Sequence, residues 1–137
     1  MSVSVLNARN DKPLVSNSDK EIVLRAMISA AIADGHIDTI EHQRLFRQVD
    51  LMHLTTEERL FLLDEFQAPK TVEQVAMVVD DVRLARRVYE SALLVLDDCR
   101  VEAVRYLTRL ATLLELSESE TRAIKAESLE MSRVRAA

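Results

Sequence analysis

The sequence is short of the residues that bend and pleat a chain. It holds one glycine, two prolines, no tryptophan and 4% aromatic residues, a scarcity that argues against sheet-rich folds and for an all-α protein. Its one cysteine, Cys99, leaves no intramolecular disulfide to form and suits a reducing compartment. Basic charge is in deficit: 18 Lys and Arg stand against 23 Asp and Glu, for a net charge of -5. A broad phosphate-binding surface is therefore not expected, and nucleic acid is not the expected partner. No apolar run reaches the roughly 20 residues of a membrane span, and nothing near Met1 joins a basic segment, an apolar run and a cleavage site. The expectation is a soluble, cytoplasmic protein without an integral span.

What is present is helical periodicity over 137 residues, 48% of them apolar and 30% charged, enough for one domain with one core. Residues 1–15 lack periodicity and are expected to form a mobile arm, followed by the domain at 16–130 and a fraying tail at 131–137. From Ser18 to Ala33 the chain is apolar nearly all round and ends in Ser29, Ala30, Ala31 and Ala33, as a central helix with close neighbours would. A second helix, Thr39 to Val49, is expected to bury Ile40, Leu45, Phe46 and Val49. Thr55 with Glu58 and Thr71 with Gln74 have capping-box spacing and open two more helices, with Pro69 between them. Val82 to Leu96 carries apolar residues at 85, 88, 89, 92, 93 and 96 and reads as a second buried helix, with Tyr89 a core ring whose hydroxyl is hydrogen-bonded. Val101 to Leu114 should bury Val104, Leu107, Leu110, Ala111 and Leu114, and Ser117 with Glu120 caps a seventh helix. The two halves echo one another: HLTTEE after the second helix is answered by ELSESE after the sixth, with Leu54 and Leu116 in matching places.

Two acidic corners carry the chemistry. Asp34-Gly35 through Glu41 reads like the second half of an EF-hand loop, but the first and third ligand positions fall on Ala30 and Ile32, which offer no side-chain oxygen. An ordinary EF-hand is excluded. In the plain structural account Gly35 makes the turn, Asp38 caps the second helix and Glu41 reaches back to it. In the functional account the second corner, Asp97, Asp98 and Glu102, lies beside the first. Carboxylates so crowded then call for a hard cation such as Ca²⁺, Mg²⁺ or Mn²⁺. His36 and Cys99 occupy similar places in the two corners, which admits zinc as a lesser option, although no ligand-pair spacing such as C-x-x-C is present. His42 and His53 are expected at the surface or at a helix edge, and Arg83, Arg86 and Arg87 on a solvated basic face. No phosphate loop, nucleophile elbow or pair of differentiated catalytic carboxylates occurs. An enzyme is not expected, and a hydrolase using metal-bound water stands only as a remote alternative.

The segments AMISAAIADGHIDTIEHQRLF, LTTEERLFLLDEF, ARRVYESALLVLD and YLTRLATLLEL resemble the TerB-like tellurite-resistance superfamily, in particular its YebE-type branch of unknown function. The likeness runs from about Asp19 to Glu120. It implies an all-helical bundle with acidic residues suspected of binding a divalent cation, and a role in stress response or in assembling complexes near the membrane; joined to the helices and echo read above, the expected fold is an all-α, seven-helix TerB-like bundle with a weak internal pseudo-duplication. Carried over by position, Asp34, Asp38 and Glu41 match the first acidic motif and Asp97 the start of the second. Cys99 and Ala103 stand where relatives tend to have acids, with Asp98 and Glu102 one position earlier. The expected function is a non-enzymatic interaction module, its metal ligands drawn from Asp34, Asp38, Glu41, Asp97, Asp98 and Glu102. The partner would be a protein, with self-association as a homodimer and peripheral membrane contact as further options. The alternative is an acidic helical inhibitor or scaffold that needs no metal.

Overall fold

The near-continuous apolar segment of the sequence becomes the axis of the molecule. The computed structural model describes residues 12–33, 35, 37–96 and 100–136, with side chains between 19 and 130 of these. Seven helices follow in order, α1 (Lys12–Ala31), α2 (Thr39–Met52), α3 (Thr56–Gln67), α4 (Val72–Met77), α5 (Val82–Val95), α6 (Val101–Leu113) and α7 (Glu118–Ala136), with no strand among the described residues. The all-α bundle expected from composition is the fold observed. None of these helices is long and apolar enough to cross a membrane.

α1 packs against α2, α3, α4 and most heavily α5. Leu24, Ala26, Ile28, Ala30 and Ala31 are fully buried along it, the alanines letting neighbouring helices approach closely. α1 begins at Lys12, earlier than the Ser18 start expected. Pro13 falls in its first turn, where the missing N–H would have had no helical partner anyway. α5 is the second axis, contacting α1, α2, α6 and α7.

Capping chemistry sets the helix starts as the sequence indicates. Thr55 and Glu58 exchange reciprocal bonds of 3.1 and 2.8 Å, as do Thr71 with Gln74 and Ser117 with Glu120. The internal echo is real in the backbone. The two non-glycine residues with positive φ among the described residues, His53 at 51° and Glu115 at 62°, directly precede Leu54 and Leu116, the leucines that matched in sequence. Such φ values cost a side chain that glycine does not carry. His53→Gly should therefore raise stability by about 0.5–1 kcal/mol. Gly35→Ala should lower it by about 1 kcal/mol, through its φ of 94°, since no atom of a described residue beyond its chain neighbours lies within 4 Å of the added Cβ. Urea titrations of the two variants, with shifts of opposite sign, check both.

Three positions expected in the core are not there. Ile40 and Phe46 are 46% and 37% exposed because α2 turns Glu41, Leu45 and Val49 inward, and their neighbours in sequence lie about 100° away round the helix. Phe46 instead sits at an aromatic edge, 4.8 Å from His42 and stacked at 6.0 Å on Phe66. Val104, 52% exposed, is likewise turned about 100° from Ala103, which is buried with Tyr106, Leu107 and Leu110. Ala111 and Leu114 are half-buried.

Candidate functional site

The first corner is organised by its cap. Asp38 has extended backbone at the start of α2, and its Oδ1 accepts the Glu41 N–H at 2.7 Å, one of the orphan donors of a helix N-terminus. Gly35 donates to the Ile32 carbonyl and turns the chain through its positive φ. Glu41 is buried.

The other oxygen of Asp38 reaches across the molecule. Arg100 Nη1 donates to Asp38 Oδ2 at 2.7 Å, and Arg100 Nε lies 3.6 Å from Glu102 Oε1. Arg100 is the residue before α6 as Asp38 is the residue before α2, so matching positions of the two halves pair with each other. A second strut joins the same region, Arg44 of α2 donating to the Leu96 carbonyl at the end of α5, where positive charge complements the helix dipole. Asp38 of the first corner and Glu102 of the second are thus joined through Arg100. What meets there among the described residues is a carboxylate and a guanidinium.

These contacts hold the Asp38 carboxyl below its ordinary range, chiefly through the Glu41 N–H; desolvation, the next effect in size, opposes this, and Arg100 adds to the lowering. Glu58 is lowered in the same way, first by the Thr55 N–H and then by Lys20, whose Nζ is 3.1 Å away. A carboxyl with a depressed folded pKa contributes stability that is complete above its unfolded value and is lost as pH falls through the folded one. Stability should hold from neutral pH to about 5 and decline below about 4. Urea midpoints at pH 7 and pH 3 should differ less in Asp38→Asn/Glu58→Gln than in the wild type.

A profile for proteins of unknown function, DUF533, matches residues 4–128, a span that takes in both corners, the first six helices and the first part of α7. The chain belongs to the DUF533 family. No curated protein and no solved structure matches it.

In this DUF533 chain the expected ligands divide into two groups. Asp38, Glu41 and Glu102 are described, and the first and last are linked through Arg100. Asp34, Asp97 and Asp98, with His36 and Cys99, lie outside the described residues. Among the described residues no group of three or more His, Cys, Asp or Glu converges as a metal site would require. Arg100 is the residue that sequence reasoning missed, and a signal for it existed. The offset between Leu54 and Leu116, applied to Asp38, lands on Arg100.

A second feature of the DUF533 fold lies on α3, whose amphipathicity is inverted. Glu58 and Glu65 are buried beside Leu62, whereas Leu60 and Leu63 are each 57% exposed. The buried acids are matched: Glu65 takes Arg25 Nε at 3.1 Å and Lys70 Nζ at 3.1 Å, and Arg25 also covers the Phe61 ring at 5.5 Å. The leucines, three residues apart and so neighbours on the helix surface, are flanked by exposed Glu57 and Asp64.

Proposed function

We propose that this protein is a non-catalytic helical interaction module that docks through α3. The observation that carries the reading is the inversion of that helix, which spends burial on two carboxylates and leaves Leu60 and Leu63 in water. An apolar pair with acids on either side fits a protein partner offering an apolar recess with a basic rim. Arg100 and Asp38 then act as a clamp that fixes the two halves. A role in stress response, as the TerB-like resemblance implies, would be exercised through that partner.

The test is capture from the native host with a photo-crosslinking residue at position 63, compared between the wild-type background and one carrying Leu60→Ser. One discrete adduct, lost with Leu60→Ser while the melting temperature stays within a degree or two, supports docking. The same adducts in both backgrounds would sink it.

A second reading retains the cation, and the burial of Glu41 next to Asp38 favours it. Ca²⁺, Mg²⁺ or Mn²⁺ would draw on Asp34, Asp38, Glu41, Asp97, Asp98 and Glu102, taking Asp38 in competition with Arg100. Zn²⁺ is a weaker choice for an oxygen set. Calorimetric titration should then show tighter binding in Arg100→Gln than in the wild type and none in Asp38→Asn. No heat in any of the three proteins removes the cation and leaves the docking reading intact.

A further inference from the structure

A groove of about 900 Å³ lies where α2, α5, α6 and α7 converge. α5 packs against α2, α6 and α7, so it supplies the floor. Leu93 and Leu94 of that floor are half-buried, and the walls present Val104 and Leu129, both more than half exposed. The lining is therefore apolar over much of its area without being closed.

The charged groups among its described lining residues share one sign. Arg47 of α2 and Lys125 of α7 stand in the lining with Arg44, and no Asp or Glu is among the described lining residues, although acids outnumber bases in the chain. Neither Arg47 nor Lys125 has an ion pair with a described residue, whereas Arg44 spends one N–H on the Leu96 carbonyl. Ser128, 8% exposed, also lines the groove, and its Oγ has no hydrogen-bond partner. Tyr89 was expected to have a bonded hydroxyl. Its ring is buried, but it lines the same groove and its hydroxyl bonds to no described residue. Buried polar groups in native proteins nearly always have partners, so the unpaired Ser128 oxygen, in the same lining as the exposed cations Arg47 and Lys125, favours a ligand with a polar, negatively charged end.

Size separates the candidate occupants. α2, α6 and α7 each contribute residues spanning a single turn, 44–48, 104–108 and 125–129, about 6 Å of helix apiece. A partner helix anchored at i, i+4 and i+7 would overrun such a basin. Its volume lies in the range of small-molecule sites, roughly 300–1,000 Å³. We propose that the groove binds a small amphipathic anion, a monocarboxylate with a hydrocarbon body. The carboxylate lies between Arg47 and Lys125, within reach of the two hydroxyls, and the body lies over Leu93, Leu94, Val104 and Leu129. This site is separate from the α3 surface and does not depend on it.

Decanoate below its aggregation concentration is the probe, titrated calorimetrically into the full chain at low ionic strength. Saturable one-to-one binding is expected, at least tenfold tighter than that of decanol, with no binding of acetate or decylammonium. Arg47→Gln/Lys125→Gln should weaken decanoate tenfold or more and leave decanol unchanged. Ser128→Ala should weaken decanoate while the ligand-free melting temperature stays level or rises, because the oxygen removed has no partner there. Equal affinity for decanol and decanoate, undiminished binding in the double variant, or uptake only of anionic lipid vesicles would each overturn the proposal.

Discussion

Leu24→Ala is expected to lower the unfolding free energy by about 3 kcal/mol and the melting temperature by about 10 °C. Leu24 has no exposed surface and lies on α1, the helix that touches α2, α3, α4 and α5. Truncation there removes a transfer contribution and leaves a cavity that several fixed helices cannot close together. Ile40→Ala, a change of the same size on a residue half in water, should cost less than about 1 kcal/mol. Denaturant titrations of the pair measure the difference. Equal losses would mean that α1 is not the axis of the bundle.

Arg25→Met should be nearly as damaging, at about 2–3 kcal/mol, for a different reason. Glu65 is only 4% exposed, and Arg25 meets both of its oxygens, at 3.1 and 3.4 Å. Removing the guanidinium leaves a buried carboxylate with Lys70 alone. The pair joins α1 to α3, so the loss falls on the helix that displays Leu60 and Leu63. Adding Glu65→Met to Arg25→Met should restore most of the loss, because replacing both members of a buried ion pair by apolar groups is often close to neutral. A double variant no more stable than the single one would show that the pair contributes more than its own desolvation removes.

Much of the fold was legible because the signals concerned are local. Capping boxes at Thr55, Thr71 and Ser117 depend on residues three apart and were found as expected, and the positive φ at Gly35 follows from the one residue that tolerates it best. Periodicity was a weaker guide. Ile40, Phe46 and Val104 are as apolar as the residues beside them, yet each lies just off the stripe its helix turns inward. Which stripe that is depends on the partner helix. The same blindness hid the buried acids of α3, since a Glu on a helix reads as solvated until Arg25, forty residues earlier, is seen beside it.

At the candidate site the structure joins Asp38 and Glu102 through Arg100, a residue the sequence reading did not single out. Asp38 was identified as a cap from its spacing to Glu41, and the meeting of the two corners was expected from the echo. That an arginine stands between Asp38 and Glu102 needed coordinates. The groove beside α5 was not anticipated at all, because its walls come from three helices that contribute one turn each over a floor on α5.

The sequence by itself determined that the chain is all-α, where most helices begin, and that its two halves repeat a plan, since propensity, capping and turn chemistry act within a few residues. Only the tertiary structure decided which faces are buried, which charges meet and where unpaired groups remain. Those are properties of contacts between segments brought together by burial, and a one-dimensional pattern does not specify them.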